Sequence, residues 1–256
     1  MSLQVDLNCD LGESFGSYHM GQDDAVMDWI TSANIACGYH AGDHNVMRET
    51  VGKAVKNNVA VGAHPGFLDL QGFGRRSMQL TPEEVFNLIV YQIGAMNGFA
   101  ALYGTRIRHV KPHGALYTMA ATDNALAAAI ADAVYQIDKR IILFGLAHSE
   151  LVKEGRRKGL QVAEEVFADR TYQPDGTLTP RTAPDALIHD VDTSIHRVIQ
   201  MVKEQKVEAT DGTDIPIQAD TICVHGDGAQ AAAFVENLAK ALVREGIQIQ
   251  PAGDPR

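Results

Sequence analysis

Short apolar runs, polar clusters and segments with helical periodicity alternate along the chain, and this alternation limits the folds that the chain can adopt. Runs rich in Val, Ile and Ala predict strands at residues 3–8, 33–37, 59–63, 107–111, 141–145, 161–165 and 221–225, with a weaker strand at 247–250. Helices are predicted at residues 24–31, 43–57, 82–103, 123–137, 149–158, 192–205 and 228–244. This order is typical of βαβ units, and seven or eight parallel strands suit a closed (β/α) barrel.

The length of 256 residues and the hydrophobic content of 45% suit one barrel or two smaller domains. No Pro/Ser-rich linker, low-complexity tract or repeat of fixed length separates two halves. We therefore predict a single (β/α) barrel domain over residues 1–256.

Two segments depart from the alternation. Residues 168–184, ADRTYQPDGTLTPRTAP, lack an apolar period and contain a Pro-Asp-Gly turn, which predicts a long loop after the sixth strand. Long loops at that face of a barrel often act as lids. Residues 207–218 form two short β-like runs around Asp211-Gly212, which predicts a hairpin. We expect this hairpin on the opposite, structural face of the barrel.

Net charge, apolar stretches and cysteine usage limit the classes of binding partner and the cellular compartment. The net charge of -10 argues against nucleic acid and anionic membranes, which are bound through clustered Lys and Arg. The N-terminus has no leader pattern, and no stretch approaches the roughly 18 apolar residues of a spanning helix. Cys9, Cys37 and Cys223 form no CxxC pair and are interpreted as buried core thiols. We expect a cytoplasmic protein.

Ionisable residues and glycines recur where the predicted strands end, and ligands of parallel α/β folds bind at the carboxyl ends of strands. In DLNCDLGESFG, Asp6, Asn8 and Asp10 alternate with apolar residues, so one strand face is polar. In NIACGYHAGDH, His40 and His44 could hold a divalent metal together with Asp10 if their rings converge. The H-x3-H spacing is a weak signal, and the alternative is an exposed His44 near a helix start.

Three further motifs follow later strands. GAHPGFLDLQGFGRR combines His64 and Asp69 with Arg75 and Arg76, which could clamp an anion or lie in a solvated surface loop. VKPHGALY places Lys111 and His113 on one side of an extended segment. CVHGD supplies His225 and Asp227, an acid or base and its orienting group.

The remaining histidines lie off this pattern and are interpreted as surface or structural residues: His19, His109, His148, His189 and His196. Neither GxxxxGK[ST] nor GxGxxG occurs, so the chain carries no phosphate-binding fingerprint.

The motifs DLNCDLGE, NIACGYHAGDH, GAHPG with GRR, VKPHGALY and CVHGD, in this order over residues 3–250, resemble the LamB/YcsF family. The resemblance implies an irregular TIM-like barrel of about seven parallel strands, similar to the glycoside hydrolase/deacetylase superfamily. It also implies the A subunit of bacterial 5-oxoprolinase, which works with B and C subunits and ATP to convert 5-oxoproline into glutamate. It carries a site role onto eight residues: Asp10, His40, His44, His64, Lys111, His113, His225 and Asp227.

The role of each residue is our hypothesis. Asp10 or His64 activates water, His113 or His225 protonates the ring nitrogen, and Lys111 or Arg75 pairs with the substrate carboxylate. Asn8 and Arg76 complete the predicted substrate contacts. A stand-alone metal-dependent amidohydrolase or deacetylase, and a noncatalytic binding subunit, remain open as alternatives.

Overall fold

The computed structural model describes residues 3–224 and 231–253, and its central element is a closed barrel of seven parallel strands. These strands are β1 (Gln4–Leu11), β2 (Ser32–Ala36), β3 (Ala60–His64), β4 (His109–Val110), β5 (Ile142–Leu146), β6 (Val162–Phe167) and, after the hairpin strands β7 (Lys206–Glu208) and β8 (Asp214–Pro216), β9 (Thr221–Val224). The barrel closes because β1 pairs with both β2 and β9. A short β10 (Gln248–Ile249) pairs with the start of β1. The predicted barrel is confirmed.

The helices of the described chain are α1 (Asp23–Met27), α2 (His44–Lys56), α3 (Pro82–Leu102), α4 (Gly114–Ala120), α5 (Asn124–Ile137), α6 (Glu150–Lys158), α7 (Val191–Glu204) and α8 (Ala231–Arg244). Seven match the predicted helices to within a few residues. The Asp43 side chain caps α2, and Thr81 with Glu84 forms a capping box at α3. The sequence prediction missed α4, because this helix has only seven residues and starts at a glycine, which is a poor helix former.

Helix α3 is the longest described helix, and by length and composition alone it could cross a membrane. This differs from the expectation that no segment would approach that length. Its Val85, Ile89, Ile93 and Met96 are fully buried in the core. Since a core helix passes the same test, the finding is a weak indication of a membrane span.

The interior of the barrel is polar at successive levels along β1. Asp6 accepts hydrogen bonds from the hydroxyl groups of Thr31, Ser32 and Thr221. One pleat further, Asn8 donates to Thr221 Oγ1 over 2.7 Å. Residues with alternate spacing point to one face of a strand, so Asp10 follows at the end where the strands finish. The predicted polar face of β1 therefore lines the barrel interior.

The chain between β6 and α7 forms the long loop predicted from the Pro-Asp-Gly turn, and the segment 207–218 forms the predicted antiparallel hairpin of β7 and β8. The hairpin does not stay on the opposite face. Ala209, at its turn, pairs with Tyr172 of the long loop, and Thr210 donates its N–H to the Tyr172 carbonyl over 2.8 Å. The Tyr172 ring is buried in the core, so it holds in place the part of the long loop that the hairpin contacts.

All three cysteines are free and buried, as predicted. Cys223 faces the barrel interior, where its Sγ accepts a hydrogen bond from Lys111 Nζ at 3.0 Å. Burial raises the pKa of this thiol well above its ordinary value.

Candidate active site

A pocket of about 460 Å³ opens at the carboxyl ends of the barrel strands. Its polar floor includes Asp10, His64, Lys111 and His113, which follow or end β1, β3 and β4. The segment 178–182 of the long loop forms part of its wall. The structure thus brings these four predicted site residues together in one cavity, with Arg75 as a fifth.

Lys111 is the centre of the buried charge in this floor. Its Nζ lies 3.0 Å from Asp10 Oδ1 and 2.8 Å from Glu165 Oε1, and its side chain is only 3% exposed. Burial by itself lowers the pKa of Lys111, but the charges of Asp10, Cys223 and Glu165 together offset this and hold the pKa well above its ordinary value. Lys111 is therefore a charged group with two carboxylate partners.

Glu165 is the second buried charge, and it lies on β6, opposite Lys111. Besides Lys111, it accepts hydrogen bonds from the Tyr117 hydroxyl at 2.6 Å and from Asn8 Nδ2 at 3.0 Å. A carboxylate in a barrel interior needs such donors, because an unpaired buried charge is costly.

Three histidines and a glutamate form a compact group beside this charge network. One ligand atom each from Glu13, His40, His64 and His113 lies within 4.8 Å of the other three. His113 Nδ1 is 2.9 Å from His64 Nε2, and Glu13 Oε1 is 3.4 Å from His40 Nε2 and 3.7 Å from His113 Nδ1. These residue types at these separations could hold a metal ion.

Backbone carbonyl groups fix the orientation of two of these rings. His64 Nδ1 lies 2.7 Å from Lys111 O, and His113 Nε2 lies 2.7 Å from Phe73 O. Burial, with His64 nearby, holds the pKa of His40 well below its ordinary value, and burial next to His40 and His64 does the same for the pKa of His113. The rings of His40 and His113 are therefore neutral at neutral pH.

Two positions beside these rings are glycines, and a side chain at either position would overlap a histidine. A Cβ at Gly66 would lie 2.7 Å from His40 Nδ1, and a Cβ at Gly74 would lie 2.7 Å from His40 Cβ and 2.8 Å from His113 Cδ2. Gly74 also has φ +62°, a conformation that L side chains rarely adopt. The glycines of the GAHPG and GFGRR motifs are therefore required by the histidine group.

The family model for the LamB/YcsF family matches residues 5–256. The chain belongs to the LamB/YcsF family. It is 64% identical over 250 residues to the 5-oxoprolinase A subunit of Oceanobacillus iheyensis, covering 98% of this chain and 97% of that one. It is 57% identical over 253 residues to the 5-oxoprolinase A subunit of Bacillus subtilis, covering 99% and 98%.

A solved structure has the same fold at substantial sequence identity. The Lactam Utilization Protein from Thermus thermophilus superposes with a TM-score of 0.91 at 43% identity, covering 97% of this chain and 99% of that one. The barrel described above is therefore the architecture of this relative over nearly its whole length.

The structure places the other predicted site residues of this LamB/YcsF protein in different surroundings. Arg75 lines the pocket, and its guanidinium lies 4.9 Å from the centre of the Phe73 ring. Arg76 does not line it; its side chain is 64% exposed and forms an ion pair with Asp69. Asn8 is fully buried and bonded within the barrel. Arg75 could therefore contact a bound ligand, whereas Arg76, its neighbour in sequence, lies outside the pocket.

His44 is exposed at the first turn of α2 and is not part of the histidine group. The metal ligands predicted as His40 and His44 with Asp10 are thus not assembled as expected, because the helix carries His44 outwards. His225 and Asp227 lie outside the described residues.

Sequence reasoning missed Glu13, Glu165, Tyr117 and two further arginines that line the pocket, Arg170 and Arg181. A signal existed for Glu165, since VAEEVF places two glutamates in a strand whose faces are both covered. Glu13 stands in the quoted DLGE motif and follows β1 by two residues. The arginines carry no local signal, because they lie in the long loop.

Proposed function

We propose that this chain is the A subunit of an ATP-dependent 5-oxoprolinase, in which 5-oxo-L-proline, ATP and water give L-glutamate, ADP and phosphate. The observation that carries the proposal is the pocket, where Asp10, His64 and His113 meet beneath three arginines. The names of the relatives, which match this chain over nearly their full lengths, support the same conclusion. The enzyme would be a cyclic amide hydrolase of the cytoplasm.

The chemistry of a lactam requires an activated substrate. A five-membered lactam is a resonance-stabilised amide, so rapid opening needs polarisation or phosphorylation of its oxygen, either of which makes the carbonyl carbon more electrophilic. The sequence lacks a phosphate-binding fingerprint. We therefore assign nucleotide binding and substrate phosphorylation to B and C partner subunits, and hydrolysis to this barrel.

The arginines fit an anionic ligand. Arg75, Arg170 and Arg181 line the pocket of a protein whose net charge is -10, so they concentrate positive charge where a substrate carboxylate or phosphoryl group would lie. Arg170 is buried and donates to the Thr179 and Ala186 carbonyls. Burial lowers its pKa to about 10, so it stays charged at neutral pH.

The proposed roles of the floor residues follow from their contacts. Asp10 Oδ2 lies 3.3 Å from His64 Nε2, so Asp10, with His64 beside it, would activate water as general base. The ring of His113 is neutral and its one N–H is held by a backbone carbonyl, so we assign protonation of the leaving ring nitrogen to His225. Lys111 already has two carboxylate partners and would position Asp10, which assigns the substrate carboxylate to Arg75.

The experiment that tests this proposal is glutamate release from 5-oxoproline by the purified chain, with and without ATP and with and without the B and C partners. We expect release only when ATP and both partners are present. Asp10→Asn and His64→Asn should each reduce turnover by about 10²- to 10⁴-fold, the usual contribution of general acid-base catalysis. Wild-type turnover in both variants would refute the roles given to them.

The histidine group keeps one other enzyme class open, a metal-dependent amidohydrolase that acts alone. ATP-independent hydrolysis by the isolated chain would favour that class. A noncatalytic binding subunit would instead bind 5-oxoproline tightly, and turnover of the complex would not respond to Asp10→Asn.

A further inference from the structure

The contact between His64 and His113 cannot be a hydrogen bond between two neutral rings. Backbone carbonyl oxygens only accept, so His64 Nδ1 and His113 Nε2, each 2.7 Å from a carbonyl oxygen, carry the ring hydrogens. A neutral imidazole has a single N–H. His64 Nε2 and His113 Nδ1 are therefore both acceptors, and their lone pairs face each other over 2.9 Å. Such a contact requires a positive charge nearby.

His40 adds two further unsatisfied atoms at the same place. The residue is 1% exposed, and neither of its ring nitrogens has a hydrogen-bond partner among the described residues. Its Nε2 lies 3.4 Å from Glu13 Oε1, but the two atoms form no hydrogen bond. Buried polar atoms without partners are rare, because each has lost its hydrogen bonds to water without gaining others. A ligand that accepts an electron pair would satisfy the His40 nitrogen that carries no hydrogen.

We propose that Glu13, His40, His64 and His113 form a binding site for one divalent transition-metal ion of the Zn²⁺ class. Ligands about 2.1 Å from a tetrahedral ion lie roughly 3.4 Å from one another. Three of the six separations, 2.9, 3.4 and 3.7 Å, bracket this value, and all six are within 4.8 Å. Imidazole nitrogens with one carboxylate oxygen are donors that suit zinc.

The surroundings of the rings resemble those of metal ligands. A ligating histidine commonly donates its second ring N–H to a carbonyl or carboxylate, which aims the other nitrogen at the metal. Lys111 O and Phe73 O do this for His64 and His113. The ring of His40 stacks parallel on that of His113, with centroids 3.6 Å apart, so it must turn to bind. No hydrogen bond from its nitrogens to the described residues opposes that turn.

A proton is the competing explanation for the His64 and His113 contact. A protonated His64 could donate from Nε2 to His113 Nδ1, with Asp10 Oδ2 3.3 Å away to balance the charge. One proton on His64 would leave both nitrogens of His40 without partners. A metal ion would take the two lone pairs that face each other and also the lone pair of His40, and for this reason we favour it.

The proposed ligands also differ from those expected from the H-x3-H spacing, because Glu13, His64 and His113 replace His44 and Asp10. The chain therefore offers a matched control. Glu13→Gln removes a ligand charge while keeping the shape of the side chain, and His44→Ala removes an exposed imidazole outside the group.

The test is a titration of the metal-free full-length chain with Zn²⁺ against a chromophoric chelator, with circular dichroism to verify folding of each variant. We expect one Zn²⁺ per chain. Glu13→Gln and His113→Asn should weaken binding by at least about 100-fold, since even the partners of metal ligands contribute roughly 10- to 100-fold. His44→Ala should bind as the wild type does. Co²⁺ should give the absorption bands of a nitrogen- and oxygen-ligated ion.

Three outcomes would overturn the proposal: no stoichiometric binding, binding that survives Glu13→Gln and His113→Asn in folded protein, or loss of binding in His44→Ala. Nitrogen NMR that finds a proton shared by His64 and His113 in the presence of excess Zn²⁺ would also overturn it. The titration uses neither substrate nor partner subunits. Its failure would therefore leave the oxoprolinase proposal intact, and failure of the activity assay would leave the metal site intact.

Discussion

The ammonium group of Lys111 lies 2.8 Å from Oε1 of Glu165 inside the barrel, where the two side chains are 3% and 0% exposed. The pair joins the end of β4 to β6 across the interior, below the pocket that contains Asp10. Water cannot screen charges at this depth, so each partner depends on the other.

Lys111→Met should therefore lower the free energy of unfolding by about 3–5 kcal/mol, because it leaves the Glu165 charge buried without its cation. The double variant Lys111→Met with Glu165→Gln should recover part of this loss. Urea unfolding of the wild type, both single variants and the double variant measures the coupling. Equal stability of Lys111→Met and the double variant would contradict the pairing.

Arg75 and Arg76 are adjacent in sequence, but they should differ in their effects on substrate binding. On the oxoprolinase proposal, Arg75→Gln should raise the KM for 5-oxoproline by roughly 10- to 100-fold, the range for losing a charged hydrogen bond. Arg76→Lys keeps a cation beside Asp69 outside the pocket, and KM should stay within about twofold of the wild type, as for an exposed ion pair. Steady-state kinetics of the reconstituted complex measures both; an equal change in the two variants would count against Arg75 as the carboxylate partner.

Acid should destabilise this protein partly through His109. Burial lowers the pKa of His109 to about 3 from 6.5, and its Nε2 lies 2.8 Å from Asn34 Oδ1. Between these values the unfolded chain binds a proton that the folded chain does not, so stability from this group is present above pH 6.5 and is lost as pH falls towards 3. The loss between about pH 7.5 and pH 5 is about 2 kcal/mol.

His109→Gln should reduce the fall in stability over that pH range by the same amount, whatever its effect on stability at neutral pH. Urea midpoints at the two ends of the range measure the difference. His19→Gln, a change at an exposed histidine, should keep the wild-type slope. If His109→Gln leaves the pH dependence of stability unchanged, the folded chain protonates His109 as readily as the unfolded chain does, which would contradict the lowered pKa.

Two glycines should respond oppositely to alanine. A Cβ at Gly62 would overlap the His109 ring, so Gly62→Ala should lower the free energy of unfolding by about 1–3 kcal/mol through overpacking. Gly98 lies on the exposed side of α3, and a methyl group there would have no neighbour within 4 Å, so Gly98→Ala should stabilise the helix by up to about 1 kcal/mol. Thermal unfolding of the two variants compares them directly, and a neutral Gly62→Ala would contradict the packing of His109 against β3.

Much of the fold was predictable from local patterns. The strands and seven of the helices follow from apolar period and caps, because these depend on neighbours within a few residues. Helix α4 was missed since tertiary packing, rather than propensity, holds its seven residues. The hairpin was predicted, but its contact with Tyr172 depends on a loop that lies far earlier in the chain.

Polar residues at the strand ends, and the meeting of those ends in a parallel barrel, can be inferred from the sequence alone, since both follow from strand period and handedness. Which of these residues contact one another depends on the three-dimensional packing. It turned His44 outwards on α2, paired Lys111 with Glu165, and grouped Glu13 with His40, His64 and His113. The physical reason is that barrel closure and ring orientation set distances of a few ångströms between residues that are far apart in the chain, and no local pattern encodes such distances.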